Sequence, residues 1–214
     1  YKRQVDNWGM TATPDANGNL FGGGIVFGMG YPVTTGAFDS NFNGGEWDVG
    51  ITKFTADGTA LIYSTYLGGN DSEVPSSIIC NDAGELYIMG VTASANFPMA
   101  GNSYDNTFTP SPPETVNSIS FQAGADLYVA KLNPTGTALL ASTFVGGSGT
   151  DGLNISNLSY NYGDQIRGEI NLDDNGFVYV ASTTQSTNFP TQQGTQGALS
   201  CLLYTSPSPR DRYI

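Results

Sequence analysis

The sequence contains no histidine, and only 12% of its 214 residues are charged. Without an imidazole side chain, a Ser-His-Asp triad, a histidine general base and a histidine-ligated zinc site are all excluded. The scarcity of charge also means that solubility must come mainly from serine, threonine, asparagine and glycine. The commonest hydrolase mechanisms are therefore ruled out before any fold is considered.

Basic residues are scarce as well, since seven lysines and arginines stand against 19 aspartates and glutamates, for a formal net charge of -12. Such a chain repels phosphate backbones and anionic lipid headgroups, so we expect no nucleic-acid partner. No run of about 18 apolar residues is present, so we expect no membrane insertion. An uncharged or cationic partner fits this charge better.

An internal repeat is the main positive feature of the sequence. Residues 60–69 (ALIYSTYLGG) return as residues 138–147 (ALLASTFVGG), 78 positions later. The same spacing separates Asp48 from Asp126, Lys53 from Lys131, Gly58 from Gly136 and Gly69 from Gly147. Self-similarity of this kind indicates a chain built from copies of one supersecondary unit.

A second set of residues recurs three times with a different spacing. Each member is a glycine followed, 14 residues later, by the proline of a Tyr-Pro or Phe-Pro pair, at Gly18 and Pro32, Gly84 and Pro98, and Gly176 and Pro190. The copies differ in length because of insertions near residues 109–113 and 156–168. Surface connections usually absorb such changes, so we place both insertions in loops.

Within one copy the residue pattern is that of β-strands. Residues 126–132 are rich in β-branched and aromatic side chains, and the Asn-Pro-Thr-Gly that follows them has turn chemistry. We predict four strands in the second copy, near residues 76–81, 85–91, 126–132 and 139–145. Four-stranded antiparallel units in series are typical of β-propeller blades, although an array of β-sandwiches has many of the same features.

We therefore predict an all-β fold, a β-propeller fragment of about two and a half four-stranded antiparallel blades. Residues 1–72 form the first blade, residues 73–151 the second, and residues 152–200 the first half of a third blade with an inserted loop. Propellers close with about four to eight blades. We expect the intact protein to extend beyond both ends of this chain and to supply further blades.

Three local features of the sequence allow further structural predictions. The Gly-Gly pairs at 68–69 and 146–147 lack the helix that must follow a phosphate loop, so we attribute them to backbone geometry at the exit of a blade. The three glycines at 22–24 suggest looser packing in the first blade. The proline-rich insertion at 110–114 is expected to be exposed and flexible.

Residues 201–214 break the repeat where the third copy should continue with its Asp-x-x-x-x-Lys strand. Residues 201–211 match the translation of a transposon end and adapter used in preparing sequencing libraries. We therefore interpret residues 201–214 as a non-native addition and exclude them from fold reasoning. Cys80 is then the one native cysteine, which leaves no disulfide to predict.

Several short elements mark each copy: Asp-x-Gly-x-Leu-Tyr at 82–87, Phe-Pro at 97–98, Gly-x-Asp-x-x-x-x-Lys-Leu at 124–132, Gly-Thr-Ala-Leu at 136–139 and Tyr-Ser-Thr-Tyr-Leu-Gly-Gly at 63–69. Together they resemble the bacterial β-propeller repeat known as SBBP, over nearly all of residues 7–200. Residues 8–11 and 33–38 further resemble large surface proteins of gliding bacteria, whose C-terminal sorting domain for type IX secretion is absent from this sequence.

The resemblance implies a non-catalytic module of a large secreted or cell-surface protein, serving adhesion, gliding or matrix contact. It implies no catalytic residue and no cofactor. The expected location is extracellular or on the cell surface. The expected partners are surface glycans or other extracellular proteins, together with further blades of the same chain.

Tyr160, Asn161, Tyr162 and Asp164, in the insertion of the third copy, are the candidate ligand-binding residues. Tyrosine rings with amide and carboxylate neighbours suit stacking and hydrogen bonding to sugars. The simpler interpretation is a long connecting loop whose tyrosines pack on the next blade. The rival function is accordingly a carbohydrate-binding or glycoside-hydrolysing propeller, and a glycosidase would need two converging carboxylates such as Asp126 and Asp164, one with a raised pKa.

Other acidic residues have a structural and a metal-binding interpretation. Asp48 and Asp126 each begin a strand five residues before a lysine, so acid and lysine should point to opposite faces. They could form a ring of carboxylates around a cation, but we favour aspartates that accept hydrogen bonds from backbone amides. The turns at 15–19 and 173–176 have the composition of calcium loops without the bidentate terminal acid. Turn chemistry explains them, so no metal is predicted, with calcium as the alternative.

Overall fold

The computed structural model describes residues 7–116, 118–155 and 164–191. These residues form twelve strands: β1 (Asn7–Pro14), β2 (Leu20–Val26), β3 (Asp48–Phe54), β4 (Leu61–Leu67), β5 (Glu73–Cys80), β6 (Leu86–Thr92), β7 (Glu114–Val116), β8 (Ile119–Phe121), β9 (Asp126–Leu132), β10 (Leu139–Val145), β11 (Glu169–Leu172) and β12 (Val178–Ala181). The helical part of these ranges is one 3-10 turn at Asp164–Ile166, and no helix there could cross a membrane. The prediction of an all-β fold is confirmed.

The strands form antiparallel sheets that follow the chain order. The first sheet has the order β1-β2-β3-β4 and the second has the order β10-β9-β6-β5. The β11-β12 hairpin forms a third sheet, and β7 pairs with β8 in a small hairpin inside the β6–β9 connection. The second sheet contains the four strands that the sequence predicts, with β9 and β10 at the predicted residues and β5 and β6 shifted by a few positions.

The same hairpin turn joins the first two strands of every unit. In each turn the N–H of a glycine donates to the carbonyl oxygen three residues earlier, at Gly18 and Asp15, Gly84 and Asn81, and Gly176 and Asp173. The three glycines have φ of 80°, 81° and 81°, which lies in the left-handed region that a side chain disfavours. Glycine is therefore required at this position for conformational reasons.

The first strand of each complete unit has a β-bulge, between Gly9 and Thr11 in β1 and between Pro75 and Ser77 in β5. The bulge brings a backbone carbonyl of the first strand against a glycine of the second. A Cβ atom on Gly24 would overlap the carbonyl oxygen of Trp8. The glycines at 22–24 were expected to loosen the first unit, but Gly24 is instead required by a close backbone approach.

The first and second sheets pack face to face. Their shared core is made of buried apolar side chains from both sheets: Phe21, Val49, Ile51, Tyr63 and Leu67 from the first, and Ile78, Leu86, Ile88, Tyr128, Leu132 and Phe144 from the second. The opposite face of the second sheet carries a second core cluster, which includes Ile166 and Ile170 near β11. The first strands β1, β5 and β11 contact each other in succession, so the sheets are stacked in series.

Each four-stranded sheet has its last strand covered by its own long connection. The N–H of Tyr66 in β4 donates to the carbonyl oxygen of Asp39 at 3.0 Å, and the N–H of Phe144 in β10 donates to that of Asp105 at 3.0 Å. Unpaired strand edges invite association with other chains. The connections therefore protect the edges of β4 and β10.

The proline-rich insertion is more ordered than expected. Pro110, Pro112 and Pro113 are exposed, as predicted. The residues around them are nevertheless part of the core, with Phe108, Val116, Ile119 and Phe121 all buried. The prolines face solvent, whereas Val116, Ile119 and Phe121 of β7 and β8 pack on the second sheet.

Candidate functional site: the acidic joints

Each four-stranded sheet ends in a Gly-Gly turn that lies against two buried carboxylates. We call these two sites the acidic joints. The first joint consists of Asp48 and Glu73 beneath Gly68, and the second consists of Asp126 and Asp151 beneath Gly146. Corresponding members of the two joints are 78 positions apart, and the four acids are 0% to 1% exposed.

The two carboxylates of each joint approach the same glycine. In the first joint, the position of a Cβ atom on Gly68 lies 2.6 Å from Glu73 Oε2 and 2.7 Å from Asp48 Oδ1. Asp126 Oδ1 and Asp151 Oδ2 approach the corresponding position on Gly146. Neither glycine has a positive φ, so space for the carboxylates, not backbone conformation, requires them. This corrects the reason given above for the Gly-Gly pairs.

Glu73 links the end of the first sheet to the second strand of the next unit. Its Oε2 accepts a hydrogen bond from the N–H of Gly69 at 3.0 Å, and its Oε1 accepts one from Thr92 Oγ1 at 2.7 Å. Since Glu73 itself begins β5, one side chain holds three segments together.

Asp151 makes the same links in the second joint. Its Oδ2 accepts hydrogen bonds from the N–H of Gly147 and from Ser186 Oγ, both at 2.7 Å. The hydroxyl of Thr184 donates to its Oδ1. A shorter side chain thus performs in the second joint the role that Glu73 has in the first.

A Ser-x-Asn pair completes each joint by accepting hydrogen bonds from the amides of the Gly-Gly turn. The side-chain oxygens of Ser94 and Asn96 accept from the N–H groups of Asp71 and Asn70 at 2.8 and 2.9 Å. In the second joint the corresponding distances are 2.9 Å from Gly149 to Ser186 and 2.8 Å from Ser148 to Asn188. These amides point away from their own sheet, so side chains of the next unit satisfy them.

Asp48 and Asp126 act as the sequence predicts for strand-start aspartates. Asp48 Oδ2 accepts from the N–H of Asn43 at 2.7 Å, and Asp126 Oδ2 accepts from the N–H of Thr109 at 3.0 Å. The Oδ1 atom of each is buried and has no hydrogen-bond partner among the residues that the structure describes. Their lysines pair elsewhere, as expected, with Lys53 bound to Asp15 at 2.9 Å.

Burial raises the pKa of three of the joint acids. Desolvation is the main cause, and it raises the pKa of Asp48 to about 7, of Glu73 to about 8 and of Asp126 to about 7. The neighbouring carboxylates add to the effect, with Asp48 acting on Glu73 and Asp151 on Asp126. Neither ion pair found in the described residues includes a joint acid. Asp48, Glu73 and Asp126 therefore hold protons close to neutral pH.

The two calcium-like turns are hydrogen-bonded as turns. Asp15 Oδ1 accepts from the N–H groups of Asn17 and Asn19, both at 2.9 Å. Asp173 Oδ1 accepts from the N–H groups of Asn175 and Phe177 at 2.9 and 2.8 Å. Within the described ranges, no three or more cysteine, aspartate or glutamate side chains are grouped to hold a metal ion.

The predicted ligand residues fall on a part of the chain of which little is described. Tyr160, Asn161 and Tyr162 lie outside the described residues, so their role stays a prediction. Asp164 begins the 3-10 turn, but its side chain is outside the description. The carboxylate that Asp126 meets in the structure is that of Asp151.

An open groove of about 320 Å³ lies between the second sheet and β12. Its lining includes Tyr87, Asn102, Tyr104, Lys131 and Val178, and Tyr104 is 74% exposed. None of the joint acids lines this groove. The groove could therefore hold a ligand but offers no pair of carboxylates for chemistry.

Comparison with known proteins gives no assignment. No protein-family model matches the chain, and no curated protein matches it either.

The sequence analysis missed Glu73 and Asp151 because one joint uses glutamate and the other aspartate. A usable signal was present: Ser-x-Asn-Phe-Pro occurs at 94–98 and again at 186–190. Its Phe-Pro ending marks the repeat but does not indicate the joint. Serine and asparagine directly before that ending would have indicated acceptors for nearby backbone amides.

Proposed function

We propose that this chain is a non-catalytic β-propeller module of the SBBP type, in a large secreted or cell-surface bacterial protein that serves adhesion, gliding or matrix contact. The observation that carries the proposal is the duplicated acidic joint. It links one sheet to the next in the same way twice, which is what a serial scaffold requires.

The stacking of the sheets supports a propeller over an array of independent sandwiches. In a propeller the first strands of successive blades are neighbours around the central channel. Here β1 contacts β5 and β5 contacts β11, and each sheet packs on the next. A sandwich array would bury a core within each pair of sheets and leave the pairs loosely connected.

The state of the joint acids supports a structural role. A glycosidase acid must reach its substrate, but Asp48 and Glu73 are 0% exposed. Both oxygens of Glu73 are already hydrogen-bonded to Gly69 and Thr92. A raised pKa alone is therefore insufficient evidence for catalysis here, because burial within a joint accounts for it.

The extracellular setting rests on the family resemblance and is compatible with the low charge of the chain. The test uses the producing bacterium with its full-length protein. Protease added to intact cells should remove the protein, and deletion of the module should reduce attachment to surfaces or gliding. Protection of the protein inside intact cells would contradict the proposal, as would a deletion that leaves attachment and gliding unchanged.

Carbohydrate binding is the second candidate, and the groove beside Tyr104 favours it. An exposed tyrosine beside Asn102 and Lys131 offers a stacking face with polar neighbours. The chain should be screened on a glycan array with Tyr104→Ala and with Tyr160→Ala/Tyr162→Ala. Loss of a glycan signal in one variant would assign the site, and release of free sugar from a bound glycan would support the glycosidase alternative.

A further inference from the structure

A lysine of the third strand has a fixed place in the first unit. Lys53 Nζ lies 2.9 Å from Asp15 Oδ2 and 4.6 Å from the centre of the Phe21 ring. The acid and the ring both belong to the hairpin of β1 and β2, and Lys53 is directly opposite Phe21 in the strand register. The hairpin thus provides a carboxylate and an aromatic face for a cation.

The second unit repeats this arrangement. Lys131 Nζ lies 3.0 Å from Glu85 Oε2 and 5.3 Å from the centre of the Tyr87 ring. Lys131 is directly opposite Tyr87 in the register of β9 and β6. Glu85 lies at the end of its turn, whereas Asp15 lies at the start of the equivalent turn. In both units the lysine nevertheless contacts a carboxylate and an aromatic ring.

The third unit has the acid and the ring without the lysine. Asp173 occupies the turn position of Asp15, and Tyr179 occupies the strand position of Phe21. Tyr179 Oη donates to Asp173 Oδ2 at 3.3 Å. The two lysines of the described residues are bound in the other units, so neither reaches Asp173.

In the described part of the chain, the strand that carries Tyr179 also has one unpaired edge. Within the described residues β12 pairs with β11 alone, whereas β2 and β6 each pair with a third strand. Its side chains are exposed, with Val178 at 40% and Tyr179 at 57%. An apolar edge strand of this kind is a template for the addition of another strand.

We propose that the outer edge of β12 is a docking site for an extended segment with an aspartate followed, five residues later, by a lysine. The segment pairs antiparallel with β12, and its lysine lies opposite Tyr179 with its ammonium group between that ring and the Asp173 carboxylate. The inference goes beyond the proposed function, because it needs only the β11-β12 hairpin and not an extracellular location.

The experiment measures binding of a labelled peptide with the sequence of residues 124–134 to the full chain, by fluorescence anisotropy. The matched peptide carries Lys131→Glu, which leaves the protein unchanged and places two carboxylates together. We expect saturable binding of the first peptide and binding weaker by about tenfold for the second, from the lost ion pair and cation–π contact. Equal binding of both peptides, or no binding of either, would overturn the proposal.

Variants of the chain locate the site. Asp173→Asn and Tyr179→Ala should each weaken binding of the lysine peptide by about fivefold. Asp82→Asn is the control, since Asp82 is an exposed acid in the equivalent turn of the second unit, which already has its lysine. Hydrogen exchange should show new protection of residues 178–181 when the peptide binds. Protection confined to another edge, such as that of β1, would show that the assignment to β12 is wrong.

Discussion

A buried carboxyl group with no basic partner is costly to keep ionised, and this chain has such groups in both acidic joints. Such a carboxyl group avoids this cost by binding a proton. Glu73 accepts hydrogen bonds at both oxygens, and burial raises its pKa to about 8. At the scale of the residue, the joints are therefore sites whose stability depends on pH.

Thermal stability should be highest in mild acid and should fall as the pH rises. Acids of this type have an unfolded pKa of about 4. The pKa of Glu73 and Asp48 in the folded protein is about 8 and about 7. Their contribution to the free energy of unfolding is complete below about pH 4. It is lost as the pH rises to 7 for Asp48 and to 8 for Glu73, at ~1.4 kcal/mol per pH unit for each acid. Melting temperatures measured between pH 5 and pH 9 test this.

Glu73→Gln separates this effect from general alkaline denaturation. Glutamine has the shape and neutrality of protonated glutamate, so the variant should be more stable than the parent at pH 9 and should have a flatter pH profile. Glu114→Gln is the control, because Glu114 lies in the short strand β7 and is not one of the joint acids. Identical profiles for the parent and Glu73→Gln would show that Glu73 does not carry the dependence.

Gly68→Ala should destabilise the chain by about 2 to 3 kcal/mol, because overpacking of a filled site is costly. Its methyl group would meet Glu73 Oε2 at 2.6 Å and Asp48 Oδ1 at 2.7 Å. Gly9→Ala is the matched control, since a Cβ atom there has no neighbour within 4 Å. Urea unfolding of both variants gives the comparison, and equal midpoints would contradict the crowding.

At the scale of the element, the Gly-Gly turn depends on side chains of the following unit. Asn96→Ala removes the acceptor for the N–H of Asn70, so we expect a loss of about 0.5 to 1 kcal/mol and faster hydrogen exchange at that amide. Asn102→Ala, in an exposed loop, is the control. Unchanged hydrogen exchange at the Asn70 amide in Asn96→Ala would show that the Gly-Gly turn is stable without this side chain.

The elements were largely predictable, because strand periodicity and turn residues are local signals. β9 and β10 have the predicted bounds, whereas β5 begins three residues early because Pro75 falls at a bulge, where a missing N–H is tolerated. The joints were less predictable. Asp48 and Glu73 begin strands of different sheets, and only packing of one unit on the next brings both carboxylates against Gly68.

At the scale of the whole molecule, each sheet depends on its neighbour for burial. One face of the first sheet buries Phe21 and Ile51 against the second sheet, and no core cluster in the described residues lies within the first sheet alone. In serial repeats, stability comes from such interfaces as well as from the units.

Truncation tests this dependence. Residues 1–72 alone should fail to fold, while residues 1–155 should unfold cooperatively, because they retain the core between the first two sheets and the first acidic joint. Near-ultraviolet circular dichroism and urea titration distinguish the two outcomes. A cooperative transition in residues 1–72 would contradict the interdependence of the units.

The covered edges of β4 and β10 also have a mechanical consequence. The chain leaves each complete sheet through its last strand, so tension along the polypeptide acts directly on that strand. That strand is held on one side by its sheet and on the other by the connection through Asp39 or Asp105. Extracting it requires two rows of hydrogen bonds to break together. A stretched array would therefore lengthen in discrete steps, as one unit unfolds after another. Each unfolding event would dissipate part of the work done by the applied force.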